Sequence, residues 1–123
     1  MFLSNNYDDL KEHLNGDIPE PLGSQLLLKL FVRDAETEGG ITIPEKIREE
    51  DIYKSMVGLV MSKGAEVYKD EHLKNWKSPE LGDWVLFKPN SGTRFSYHGV
   101  PFRFVYDDCI YCILKNPDAV HHG

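Results

Sequence analysis

Cys109 and Cys112, the only cysteines, stand in Asp107-Asp-Cys-Ile-Tyr-Cys-Ile-Leu114, a spacing that suits a redox pair or half of a zinc site. A redox C-x-x-C opens a helix, whose N-terminus lowers the thiol pKa. This one lies in a run of Ile, Tyr and Leu that reads as strand, where residues three apart point to opposite faces. No further ligands stand at zinc spacing, so structural cysteines and no metal are expected. Nucleophilic catalysis by a serine needs a desolvated lysine or a histidine beside it as base. Ser55 has only Lys63 and Lys88 as candidate partners, neither in a recognisable context. The five histidines form no triad or metal spacing, and no Gly-rich loop cradles a phosphate. No catalytic residue is expected.

The chemistry that the chain offers most clearly is recognition. The stretch Arg33-Asp-Ala-Glu-Thr-Glu-Gly-Gly-Ile-Thr-Ile-Pro-Glu-Lys-Ile-Arg-Glu-Glu-Asp51 lies between two strand-like segments and is too polar to pack. At its middle stand Gly39, Gly40, Ile41, Thr42, Ile43 and Pro44. A long loop inside a compact domain is commonly functional. The residues alone permit two readings of Ile41-Thr-Ile43: a barrel strand after a Gly-Gly turn, or an apolar bait in a mobile arm, since short alternating runs are ambiguous.

Composition narrows the classes. The chain has 123 residues and a formal net charge of −6, with no basic stripe. One domain with a modest core is expected, and no nucleic-acid partner. No apolar run reaches membrane-spanning length, and Met1 to Asp9 lacks the character of a signal peptide. A cytoplasmic location and no membrane partner follow as expectations.

The elements that must position the loop are mostly strands. In residues 1–20, an N-terminal extension, Asn6 caps a short helix with Tyr7, Leu10 and Leu14 on one face and Gly16 as terminator. The extension is either packed on the barrel surface or an arm for a neighbouring subunit. Deleting residues 1–18 is expected to leave a folded barrel. Gln25 to Val32 is a nearly continuous apolar strand, covered on both faces. Ser55 to Ser62 is a second strand, where Gly58 marks a bulge or a close backbone approach. Residues 65–81 are a polar excursion, read as a hairpin. Trp84 to Phe87 is a third strand. Thr93 to Tyr97 and Pro101 to Tyr106 form a hairpin around His98-Gly99, and Cys109 to Leu114 is the last strand. Residues 120–123 form a tail expected to be disordered. The fold class is all-β, a small, partly open β-barrel.

The order of these parts resembles the chaperonin-10 family, the GroES-like co-chaperonins. Pro21-Leu22 and the strand after it look like the family's opening segment. Glu38-Gly-Gly-Ile-Thr-Ile-Pro44 is similar to its mobile-loop signature, although Thr42 stands where an aliphatic residue is usual. Met56-Val-Gly-Leu-Val-Met-Ser-Lys-Gly64 and Leu81-Gly-Asp-Trp-Val-Leu-Phe87 look like its next two strands, and Arg103 to Ile113 like its closing hairpin. The match spans Pro21 to about Lys115, within a barrel domain of residues 21–119. Gly92 to Arg103 particularly resembles virus-encoded members, implying a bacteriophage protein acting in the host cytoplasm.

The resemblance implies a ring, a heptamer, that caps the cavity of a large GroEL-like chaperonin during ATP-dependent folding of non-native proteins. Residues 33–54 would be the mobile loop, with Gly39 to Pro44 binding the chaperonin's apical domains. It implies an interface between the first strand of one subunit and the last of its neighbour, placing Leu26, Leu28 and Leu30 against Ile110, Cys112 and Leu114; the alternative is that these fill the monomer core. Residues 65–81 would be the roof, with Tyr68 and Trp76 either packing it or touching other roof loops. No cofactor is expected on this chain, ATP and Mg being bound by the partner. Two rivals stand. One is a β-barrel adaptor or virion-associated module using the same loop for another partner. The other is a serine–lysine peptidase, whose words Ser55-Met56 and Gly82-Asp-Trp-Val85 echo.

Overall fold

A computed structural model describes residues 4–31 and 56–120. The mobile-loop residues Gly39, Gly40, Ile41, Thr42, Ile43 and Pro44, together with Ser55 and the last tail residues, lie outside these. One helix and six strands follow in order: α1 (Tyr7–His13), β1 (Gln25–Leu30), β2 (Val57–Lys63), β3 (Trp84–Phe87), β4 (Thr93–Tyr97), β5 (Val100–Tyr106) and β6 (Ile110–Leu114). The strands make one antiparallel sheet in the order β4-β5-β1-β2-β3-β6. Among the described residues no ladder joins β4 to β6, so the sheet is not closed.

β1 is central because its sequence is apolar on both sides of the pleat. Leu26, Leu28 and Leu30 point into one core with Val60, Val85, Phe87, Val105 and Ile110. Leu27 points into a second core with Leu59, Met61, Val100 and Phe102. Successive side chains alternate between faces, so a strand buried on both must be apolar almost throughout.

The expected bulge exists but lies away from Gly58. Leu27 pairs with Ser62 and Leu28 with Val60, which makes Met61 the extra residue of β2. Gly58 instead pairs with Leu30 in register, and a Cβ built on it would come 2.9 Å from Cβ of Leu28. Its role is the close approach. The hairpin between β4 and β5 turns on His98 and Gly99 with φ of 50° and 75°, the two positive values a two-residue I′ turn demands.

Two expectations change. Residues 65–81 form successive turns rather than a hairpin. Their sequence lacks the alternation a ladder needs, and Asp70 winds the chain locally: its side chain accepts from the His72 amide, and its carbonyl from Leu73 and Lys74. The N-terminal extension packs on the sheet and shares its second core, so its removal is now expected to destabilise the barrel. Asn6 caps α1 by accepting from the Asp9 amide. Leu10 and Leu14 then pack fully buried against Leu27, Leu59, Met61 and Phe102. Each such burial is worth about 1.5–3 kcal/mol, so the extension closes the second face of the sheet.

Candidate functional site

β1 and β2 carry the two ends of residues 32–55. The ladder continues to its last described rung, where the Phe31 amide donates to the Val57 carbonyl at 3.0 Å. The Phe87 amide donates to the Met56 carbonyl at 2.9 Å and ties the other end to β3. The Phe31 and Trp84 rings also stand nearly perpendicular, with their centroids 5.4 Å apart. With Gly58 letting β1 press against β2, the exit and re-entry of the chain sit side by side on packed strands. Such a base suits a loop that must reach out and return to one place.

The residues assigned to a subunit interface separate into two groups. Leu26, Leu28, Leu30 and Ile110 share a single core within one chain. β1 is hydrogen-bonded to β2 on one side and β5 on the other, so it has no edge to give a neighbour. These four therefore fill the monomer core, and the pairing of β1 with a neighbour's last strand is corrected. β6 differs. It pairs with β3 alone among the described strands, and Tyr111 and Cys112 are exposed while Ile113 and Leu114 are half-buried. An edge of this kind templates pairing with another chain unless it is covered. Tyr111 at 58% exposure, Leu22 at 76% and Trp76 at 55% are among the largest exposed apolar groups.

Of the two roof residues, Trp76 is open to solvent and Tyr68 is not. Tyr68 is buried, has φ of 58°, and is bound at both ends to Asp107. Burial, then the nearby Asp107 and Asp108 carboxylates, push its phenol up to about 12. The Asp107 amide in turn donates to the Ser24 carbonyl. The turn segment is thus clamped to the corner between β5 and β6.

Of the candidate catalytic groups, Ser55 lies outside the described residues, while Cys109 and Lys63 lie within them. Cys109 is partly buried at the end of a 3-10 turn. Burial first, and the adjacent Asp108 carboxylate second, push its thiol up, opposite to what a reactive thiolate requires. Lys63 donates to Ser78 Oγ at 3.2 Å, a pairing that the sequence did not single out, and also meets Glu80 at 3.8 Å. A lysine held by a carboxylate is not the desolvated base that serine–lysine chemistry needs. Among the described residues no cluster of His, Cys, Asp and Glu could hold a metal ion, and no helix is long and apolar enough to cross a membrane.

Four polar arrangements, at Asp17, His13, Arg103 and Lys29, were missed in the sequence. Asp17 accepts from His98 at 2.9 Å and from Tyr97 at 2.8 Å, and these contacts, His98 first, lower its carboxyl pKa. The His13 ring meets the His98 carbonyl at 2.8 Å. Arg103 lies almost buried in β5, donating to the Ser91 carbonyl at 2.7 Å with its guanidinium 5.6 Å from the Phe87 ring centre. Lys29, inside β1, is fully buried and donates to Asn5 Oδ1 at 2.9 Å. A lysine set among leucines in a strand covered on both faces was the available signal for the last.

Comparison with known proteins gives one consistent answer. The family model described as "Chaperonin 10 Kd subunit" matches residues 19–114. A protein named "Co-chaperonin GroES" from Solidesulfovibrio magneticus is 31% identical over 96 residues, covering 78% of this chain and 96% of that protein. Proteins of the same name from Natranaerobius thermophilus and Listeria monocytogenes are each 26% identical over 96 residues, covering 78% of this chain and 97% and 98% of theirs.

Proposed function

Because the chain belongs to the chaperonin-10 family, we propose that it is a co-chaperonin: a ring-forming lid that caps a large chaperonin while a non-native protein folds inside. The observation that carries this reading is the family match across the whole sheet, residues 19–114, in relatives named as co-chaperonins. The β1–β2 base supports it, because it holds Phe31 and Met56 where a loop of residues 33–54 can extend to a partner. Such a lid is not an enzyme; nucleotide is bound and hydrolysed by the chaperonin.

In this reading Ile41 and Ile43 are the anchors and Thr42 points away from them in an extended strand. Burying an isoleucine yields roughly 1.5–3 kcal/mol, while ordering each loop residue costs about 1–2 kcal/mol. One loop therefore binds weakly. Several loops on one ring bind firmly through effective concentration, and a small change in the chaperonin suffices for release. Gly39 and Gly40 let the loop turn toward its groove. The acidic flanks keep it solvated when free.

The ring contact is assigned to β6, whose open edge carries Tyr111 and Cys112, and to the segment before β1, where Leu22 is exposed. The exposed Trp76 is assigned to the roof around the ring axis. Gly92 to Arg103, the β4–β5 hairpin, supports the narrower reading of a virus-encoded member acting in its host's cytoplasm. The test is Ile43→Asp. It should abolish binding to a chaperonin while the ring persists; full binding by this variant would remove Ile43 from the site.

A further inference from the structure

The family match begins at residue 19, yet residues 4–18 are packed onto this sheet, with Leu10 and Leu14 buried against it. They form a strap. Leu10 and Leu14 sit on the second core, the His13 ring meets the His98 carbonyl, and Asp17 takes both Tyr97 and His98. At its beginning the strap meets the one lysine that is buried among the described residues. Lys29 lies between Leu59 on β2 and Phe102 on β5, both members of the core under α1. Its Nζ donates to Asn5 Oδ1, on the strap itself.

We infer that the strap is a proton-operated latch: closed, it seals a dehydrated Lys29 amine beneath Asn5, and it lifts by letting that amine take up water and a proton. The geometry requires the coupling. An ammonium buried without a counter-charge is strongly disfavoured, and water can reach Nζ only if the residues above it move. The side chains that β2, β3 and β5 turn toward this face are Leu59, Met61, Trp84, Phe102 and Phe104, none of which carries charge. Arg103 is on the opposite face, against Phe87. From β4 comes Tyr97, and from α1 come Tyr7 and, farther along, His13; Asp17 and His98 form the clasp at the far end. Asp8, Asp9, Lys11 and Glu12 lie on exposed positions of α1. No carboxylate is therefore paired with Lys29 among the described residues, and burial alone lowers its amine from 10.5 to about 7.

The direction follows from linkage. Between about 7 and 10.5 the open strap binds a proton that the closed strap does not. Opening is thus progressively suppressed as pH rises through that window and is greatest at and below neutrality. Asp17 acts in the same sense at lower pH. Its carboxyl is held down in the closed form, so the clasp is intact above the ordinary carboxylate pKa and fails as pH falls through the lowered one.

The test is hydrogen exchange of the free protein at pH 6 and pH 8.5, corrected for intrinsic rates, and it does not depend on the chaperonin reading. The helix amides of Leu10 and Leu14, bonded to Asn6 and Leu10 carbonyls, should gain about tenfold or more in protection at the higher pH. They should exchange faster than β1 amides at both. Lys29→Met keeps the stem and removes the proton site, and should abolish the pH effect. Leu14→Ala should speed exchange equally at both values. A strap equally protected at both pH values overturns the proposal. So does an undiminished pH effect in Lys29→Met, or exchange of α1 only together with β1.

Discussion

Tyr68 grips Asp107 from two directions: its amide donates to the carboxylate at 2.9 Å and its hydroxyl to the backbone carbonyl at 3.0 Å. The left-handed backbone of Tyr68, φ 58°, is what turns both groups toward one residue. The polar turns of residues 65–81 carry few apolar side chains, chiefly Val67, Tyr68 and Leu73, so this clamp, with the Glu66 amide on the Gly23 carbonyl and Lys63 on Ser78, ties them to the sheet.

Tyr68→Phe should therefore destabilise the fold by about 1–3 kcal/mol, since a buried carbonyl loses its donor. The loss is read as a lowered denaturant midpoint at neutral pH. The wild type should also lose stability in alkali. Its phenol is raised from 10.0 to about 12 in the fold, so that contribution is complete below pH 10 and disappears as pH climbs through about 12. The variant should lack this component of the alkaline transition; an identical alkaline curve would refute the coupling.

Leu10→Ala should cost about 2–5 kcal/mol, as for other buried leucines truncated in a core. Removing residues 1–18 altogether should do more, because it bares Leu27, Leu59, Met61 and Phe102 to water. Thermal unfolding and dye binding to exposed apolar surface check both. A truncated protein as stable as the full chain would show that α1 is only an appendage.

Much of this was legible from residue types. The nearly continuous leucines of β1 announced a strand covered on both faces, and His98-Gly99 announced the hairpin. Asn6, Leu10 and Leu14 announced α1. What the pattern could not show was which face α1 would cover, because an amphipathic helix names its own apolar side and not its partner. The β1 half of the interface assignment changed for a related reason. Leu26, Leu28 and Leu30 look the same whether they meet a neighbour or their own chain, and only the strand order, with β1 in the middle, decides. Lys29 ran against the ordinary expectation that lysine is exposed. The loop motif Gly39 to Pro44 was read from the sequence and stands on the family resemblance.

Tyr111→Asp should dissociate the ring and leave the monomer folded. Tyr111 is exposed on the open edge of β6, so a charge there costs the isolated chain little, whereas buried between subunits it is left unpaired. Sedimentation gives the assembly state and circular dichroism the fold. A ring of unchanged stability would exclude β6 from the contact.

The central claim is that this chain is a ring-shaped lid for a chaperonin. Sedimentation of the purified protein, alone and mixed with a bacterial chaperonin, with and without adenine nucleotide, tests it most directly. A ring several times the chain mass that joins the chaperonin only when nucleotide is present is the expected result. A monomer under every condition, with no co-sedimentation, would contradict it.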